Sequence, residues 1–290
     1  MAEVAHPHNL RTPPLKRNSR LGKYRILRKL DSGGFADVFA ARDLVLGIDV
    51  ALKLPRLPHP SLINDLRREV RLVNRLDHPN VVRVWNADEI DGSFVIAYEL
   101  GKETLADRLR RPLPTPVALR ISGQLLAALE YAHGQRIMHL DVKPENIILF
   151  GSGMVRLGDF GISRVAAATR ASQLSWAGTL GFMAPEQAYG LPTLASDVFA
   201  AGLIIYRMLS GKLPTWPFRW PFPGVVRCRQ RTSPGLVAVL ERATAFDPED
   251  RYADAASFST AYQRAVRGMQ RRRRVRRRRR MESNGVRWQE

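Results

Sequence analysis

Three observations predict an α+β chain in two lobes, a small β-rich one followed by a larger helical one. From Tyr24 to Asp91 short β-prone runs alternate with turns, interrupted by one helical segment. After Gly101 apolar residues recur at helical spacing. The length, 290 residues of which 45% are hydrophobic, suffices for a large core in one two-lobed unit or two domains.

The elements follow in order. Residues 1–20 are polar, lack the apolar stretch of a secretory signal and read as a disordered arm. "YRILRKL" and "VFAARDL" are strands joined by the Gly-containing turn "DSGGFAD", and "DVALKL" is a third strand. "SLINDLRREVRLVNRL" is helical, with Leu62, Leu66, Val70 and Val73 on one face and Ser61 placed to cap it. "VVRVWNA" and "SFVIAYEL" pair across Asp91-Gly92, and the lobes join near residues 98–102. "TPVALRISGQLLAALEYAHG" has Thr115 as N-cap, Pro116 at N1 and Gly134 as stop. Its apolar stripe is Ile121, Leu125, Ala128, Leu129 and Ala132. "SDVFAAGLIIYRMLSG" is apolar almost all round and reads as a central buried helix, and residues 233–243 and 252–266 give two more. The expected division is an arm over 1–20, a folded part over 21–266 (lobes 21–97 and 103–266) and a basic tail over 267–290.

A single cysteine, Cys228, excludes a disulfide framework and fits a reducing, cytoplasmic setting. The longest apolar run, Val198 to Leu209, contains Arg207 and is too short to span a bilayer. Net charge is +19, and 11 arginines with no acid lie between Arg264 and Arg280, so the basicity is largely a property of the tail.

The chemistry concentrates in four places. The turn at Gly33 and Gly34 can bring backbone N–H groups near phosphates, although a Gly pair in a hairpin is more often only a turn. Lys53 ends the strand run Val50-Ala51-Leu52, where it either snorkels to the surface or points into a phosphate site. Glu69 sits beside the buried face of its helix and needs a partner, either the neighbouring Arg67 or Arg68 or, more pointedly, Lys53. "HLDVKPEN", His139 to Asn146, is followed thirteen residues on by Asp159-Phe160-Gly161. Two acids and an amide oxygen on turns between apolar runs suit a hard divalent cation with phosphate oxygens.

In this order and spacing the motifs resemble the eukaryotic-type (Hanks-type) Ser/Thr protein kinases, including their bacterial members. The match covers about residues 24–266: the Gly-rich loop, "VALK", Glu69 before "HPNVV", "HLDVKPEN", "DFG" and "GTLGFMAPE". The resemblance implies the bilobal protein-kinase fold and an enzyme that moves the γ-phosphoryl of ATP, with Mg²⁺ or Mn²⁺, to Ser/Thr hydroxyls of a protein substrate. Leu30, Asp31, Ser32, Gly33, Gly34, Phe35, Ala36, Val38, Ala51, Glu99 and Leu100 would line the ATP site. Lys53 would contact the α/β-phosphates and pair with Glu69. Asp141 would orient the substrate hydroxyl and accept its proton, Lys143 would sit near the transferred phosphoryl, and Asn146 and Asp159 would hold the metal. Thr179 would steady the catalytic loop and shape the site for the residue after the phosphoacceptor. Glu186 would pair with Arg251, and Asp197 fits the family's later helices. A non-catalytic scaffold is disfavoured because Lys53, Asp141, Asn146 and Asp159 are all present. Small-molecule kinases of this fold usually lack the Lys143 and GT…APE equivalents.

The chain departs from the pattern at four points. Asp31 and Ala36 replace two loop glycines, which predicts weaker phosphate cover, with Gly34 placed to share the role of Gly33. The residue guarding the back of the ATP site is Ala97 or Tyr98. "LPTWPFRWPFPG" (213–224) is short and aromatic where a docking helix is common, and its rings are expected to pack on the lobe. Leu140 stands where most members have an arginine that pairs with an activation-loop phosphate. The segment 162–184 carries Ser163, Thr169, Ser172, Ser175 and Thr179. Its order is expected to come from packing around Leu140 by the stretch 165–168, which would make activity independent of loop phosphorylation; the alternative is that Arg164 or Arg170 has taken over the phosphate pairing. Nine arginines within Arg271–Arg280 should repel one another into an extended or frayed run. Such a tail suits an acidic membrane surface, which makes the expected location cytoplasmic and peripheral, or nucleic-acid phosphates.

Overall fold

The computed structural model describes residues 15–32, 36–56, 62–160 and 181–283. Two compact units emerge. The first takes the chain to Asp77 together with Val82–Gly101, and the second takes His78–Val81 and the described chain from Lys102 onward.

The first unit is built on a six-stranded antiparallel sheet. Its strands are β1 (Arg20–Leu21), β2 (Tyr24–Ser32), β3 (Ala36–Asp43), β4 (Ile48–Pro55), β5 (Val84–Ile90) and β6 (Ser93–Glu99), in the order β1-β2-β3-β4-β6-β5. Asp91 and Gly92 turn the β5–β6 hairpin with φ of 50° and 73°, the left-handed pair a tight hairpin requires. Residues directly opposite on neighbouring strands share a face. Val38 opposes Lys53 and Ala40 opposes Ala51, while Ala51 opposes Tyr98 and Lys53 opposes Ile96. Those six therefore stand on one face. The other face carries Phe39, Ala41, Val50, Leu52, Val95 and Ala97, which bury themselves with Leu21, Tyr24 and Ile26 as the core. Helix α1 (Leu62–Val73) buries Leu66, Val70 and Val73 as its periodicity requires. Ser61, expected to cap it, lies outside the described residues.

The β2–β3 hairpin is clamped by Asp37. Its carboxylate accepts Ser32 Oγ at 3.0 Å and is paired with Lys29 at 2.6 Å and Arg56 at 2.8 Å. Burial opposes the charge, but the hydrogen bonds from Lys29, Arg56 and Ser32 outweigh it and pull the carboxyl down to about 2.

The second unit is helical around a small three-stranded sheet. The strands are β7 (Glu103–Thr104), β8 (Ile147–Leu149) and β9 (Val155–Leu157). The helices are α2 (Leu105–Arg108), α3 (Thr115–Gly134), α4 (Pro185–Ala188), α5 (Leu194–Ser210), α6 (Val225–Arg231), α7 (Pro234–Ala243) and α8 (Ala255–Ser283). Helix α5 is buried along almost its whole length, as a helix apolar almost all round must be. At Gly202 it runs so close to α7 that a Cβ would stand 2.8 Å from Thr244 Cγ2, so only glycine fits. Asn80 ties its short segment into this unit, donating to Gln124 Oε1 at 3.0 Å and Val155 O at 2.8 Å. In the 213–224 segment Phe218 and Phe222 are buried, while Trp216 stays 60% exposed against Phe246.

Two expectations are corrected. Thr115 is the first helical residue and Pro114 holds the cap position, with Pro116 one residue further in. The arginine run is not frayed but continues α8 to Ser283. Arginine is a good helix former, and extending a helix already anchored upstream adds a hydrogen bond per residue without a new nucleus. That anchoring reaches Met269, which is buried.

The buried pair Glu186–Arg251 locks α4 to the turn before α8. Nη1 lies 2.7 Å from Oε1 and Nη2 2.9 Å from Oε2, and Ser196 Oγ donates to Oε1 at 2.6 Å. Arg251 also donates to the carbonyls of Ala245, Phe246 and Ala195 and lies 4.6 Å over the Phe199 ring. Burial works against the Glu186 charge, but Arg251 and Ser196 overcome it and hold the pKa below its ordinary 4.5. Arg251→Ala strands that carboxylate and should lower stability by about 3–5 kcal/mol at neutral pH. A depressed folded pKa gives stability that is complete above 4.5 and lost as pH falls through the folded value. Urea unfolding of wild type and variant from neutral to acid pH should therefore show the gap closing in acid. A gap independent of pH would exclude the ion pair as its source.

Candidate active site

The second unit gathers the catalytic-loop residues around Asp197, 1% exposed at the start of α5. Asp197 Oδ2 accepts the His139 amide at 2.7 Å, and Oδ1 accepts the Leu140 amide at 2.7 Å. Ala255 N–H donates to His133 Nδ1 at 3.1 Å, which puts the His133 proton on Nε2, and Nε2 donates to Asp197 Oδ2 at 2.9 Å. One carboxylate thus holds the loop and helix α3 directly and, through His133, the start of α8. It holds Leu140 in the left-handed region at φ 61°, a conformation that leucine rarely adopts. The Leu140 carbonyl accepts Gln187 Nε2 at 3.0 Å, and Gln187 Oε1 accepts the Ala184 amide at 3.1 Å. The "APEQ" turn therefore hangs on the same backbone twist.

His139 ties the loop to the Asp159 turn. Asp141 N–H donates to His139 Nδ1 at 3.2 Å, so Nε2 carries the proton and donates to Gly158 O at 2.8 Å. The Phe160 ring packs on His139 with centroids 4.5 Å apart. Gly158 N–H donates to Asn146 O at 2.8 Å, and Asp159 follows with φ 60°.

Between these anchors the half-buried Asp141 meets Lys143 and Asn146. Lys143 Nζ lies 2.8 Å from Asp141 Oδ2. Asn146 Nδ2 donates to Asp141 O at 2.8 Å and to Oδ2 at 3.2 Å. Among the described residues no group bonds Asp141 Oδ1, an oxygen able to accept a proton or a hydrogen bond. With its amide nitrogen committed to Asp141, Asn146 has only Oδ1 to offer a ligand. That oxygen and the Asp159 carboxylate are hard donors of the kind Mg²⁺ takes.

In the first unit Ala36, Val38, Ala51 and Lys53 fall on one sheet face, because β3 and β4 alternate in step. Tyr98 is on that face, whereas Ala97 points into the opposite core, so Tyr98 is the one of the two that accompanies Lys53. Leu30, Asp31 and Ser32 end β2, and Glu99, whose amide donates to Arg83 O at 3.1 Å, and Leu100 follow Tyr98. Glu69 lies in α1, but its side chain is outside what the structure describes, as are Gly33, Gly34, Phe35, Thr179 and the hydroxyls and arginines of the 162–180 segment. Sequence reasoning missed Gln187 and His133. Gln187 directly follows the "APE" motif, but a lone glutamine or histidine carries no spacing signal.

Residues 24–221 match the protein kinase domain model. The chain is 32% identical over 263 residues to the Bacillus subtilis serine/threonine-protein kinase PrkC, covering 83% of this chain and 41% of that protein. It is 34% identical over 273 residues to Mycobacterium tuberculosis PknE, covering 86% and 47%. The chain spans less than half the length of these curated relatives. The crystal structure of the M. tuberculosis PknI kinase domain aligns with a TM-score of 0.67 at 27% identity, over 87% of this chain and 99% of that one.

Proposed function

This chain belongs to the protein kinase family, and we propose that it is an ATP-dependent kinase that phosphorylates Ser/Thr hydroxyls of protein substrates. The observation that supports this most is the Asp141–Lys143–Asn146 cluster, with one carboxylate oxygen left to a substrate. In the proposed reaction the substrate hydroxyl attacks the γ-phosphorus of ATP. Its proton passes to Asp141 Oδ1, and the bond to the bridging oxygen of the ADP leaving group breaks. Lys143 offsets the negative charge on the transferring oxygens, and Lys53 holds the α/β-phosphates. Asn146 Oδ1 and Asp159 would hold Mg²⁺, which when bound neutralises phosphate charge. Most of the catalysis is positioning and electrostatics by groups fixed beforehand.

Lys53→Met and Asp159→Asn remove contacts to phosphate or metal and no core volume. Each should cut transfer of radiolabelled phosphate by roughly a hundredfold or more, with an unchanged circular dichroism melt. Near-wild-type turnover in either would sink these assignments.

The proposal extends to regulation. Leu140 cannot pair with a phosphate, and its backbone is already fixed by Asp197 and Gln187. Activity should therefore not depend on loop phosphorylation. Phosphatase treatment, or changing Thr169, Ser172 and Ser175 together to Ala, should leave the rate within a fewfold. A drop of about tenfold, the size of a typical coupling, would favour a substitute arginine instead.

The arginine-rich end of α8 is assigned to an anionic surface, acidic lipid or nucleic acid. Each basic residue near an acidic membrane contributes about 1 kcal/mol. Truncation after Gln270 keeps the buried Met269. It should abolish salt-sensitive co-sedimentation with acidic vesicles and salt-sensitive shifts of nucleic acid, and retained binding to both would clear the helix of that role.

A further inference from the structure

The charge of the second unit is one-sided well before the tail. From Phe160 to Leu240 the sequence has eight arginines and lysines and only two acids, Glu186 and Asp197. Both acids are buried and engaged, Glu186 by Arg251 and Ser196, and Asp197 by His133 and the catalytic loop. No carboxylate from this stretch reaches the described surface. Lys212, Arg219, Arg227 and Arg229 are exposed and Arg207 is half-buried. Among the described residues none of these five is in an ion pair.

Three of the cations gather at the C-terminal end of α5. Arg207 lies over the Phe182 ring at 5.9 Å, and Phe182 stands two residues before Ala184, which Gln187 hangs from the Leu140 carbonyl. A Cβ on Gly181 would meet Leu213 at 3.4 Å, next to Lys212. Helix α5 ends at Gly211, where the Arg227 guanidinium comes within 3.1 Å of the Cβ position, and Lys212 flanks Gly224 on the same side. Arg207 is ten residues along α5 from Asp197, or about 15 Å at 1.5 Å per residue. An extended peptide covers that distance in about four or five residues. Cations at a helix C-terminus do complement its dipole. That role needs one or two of them and does not account for a stretch in which both acids are buried while its cations stay exposed.

We propose that Arg207, Lys212 and Arg227 form a docking surface for acidic segments of the protein substrate, so that the enzyme selects Ser/Thr with Asp or Glu roughly three to five residues away. This deepens the kinase reading and rests on it. The partner is identified by charge complementarity: an acidic peptide gains attraction there, and a basic one meets repulsion with no exposed carboxylate from this stretch to relieve it.

The test uses the full chain with ATP, Mg²⁺ and a peptide series that shares one Ser phosphoacceptor and carries Asp/Glu, Ala or Lys/Arg at the flanking positions. The acidic peptides should have kcat/KM about tenfold above the Ala peptides, as several exposed pairs add up to. The gain should lie in KM and shrink with added salt. The exposed pair change Lys212→Glu/Arg227→Glu, and separately Arg207→Gln, should remove most of that preference while kcat on the Ala peptide stays the same. Equal wild-type efficiency on acidic and neutral peptides, or a preference intact in both variants, would overturn the proposal. If no peptide is phosphorylated at all, the kinase reading itself fails. The docking surface is then judged by fluorescence anisotropy of the labelled acidic peptide, whose binding must weaken in the same variants although the arginine helix is unchanged.

Discussion

The second unit turns on one buried carboxylate. Asp197 takes two consecutive amides of the catalytic loop and the imidazole of His133, all three lying some 57 to 64 residues before it in the chain. A carboxylate out of water is tolerated only when its oxygens are filled with donors, and here the donors are the backbone that must be twisted. The left-handed turn at Leu140 costs about 1–3 kcal/mol by itself, and two short amide bonds to a charge offset it. Asp141 then follows at a fixed angle, its own amide bound to His139 and its carboxylate met by Lys143 and Asn146. Placement of Asp141, the proposed base, is thus set by backbone hydrogen bonds.

That arrangement explains how leucine can stand at position 140. The site demands a twist and two backbone partners, Asp197 on the amide and Gln187 on the carbonyl, and the side chain takes no part in either. An arginine there would add an electrostatic link to a loop phosphate without changing the turn. The other buried acid of this region, Glu186, does a separate job. It joins α4 to the turn before α8 through Arg251, so the two acids hold different edges of the same helical body. With both sequestered, the stretch from Phe160 to Leu240 has no acid on its described surface.

Much of this was legible in the sequence because the relevant signals are local. The family resemblance grouped Val38, Ala51 and Lys53, which the strand pairing puts on one face, and the apolar stretch ending at Leu209 foretold the buried α5. The choice between Ala97 and Tyr98 was not legible. One residue of register reverses the face, and only the pairing of Ala51 with Tyr98 decides it. The clamp by Asp197 was equally hidden, since its partners lie up to 64 residues away. The arginine run misled for another reason: repulsion was weighed, but the helix already built and anchored upstream was not. The short strands β7 to β9 and helix α6 gave too few residues for a period to show.

The account stands on the Asp197 amide bonds, and hydrogen–deuterium exchange on the full chain reads them directly. The His139 and Leu140 amides should exchange only through global unfolding, and Asp197→Asn should speed them by at least an order of magnitude while the amides in the middle of α3 stay protected. Fast exchange of both amides in the wild type would contradict the claim that this carboxylate fixes the catalytic loop, as would an Asp197→Asn variant with unchanged protection.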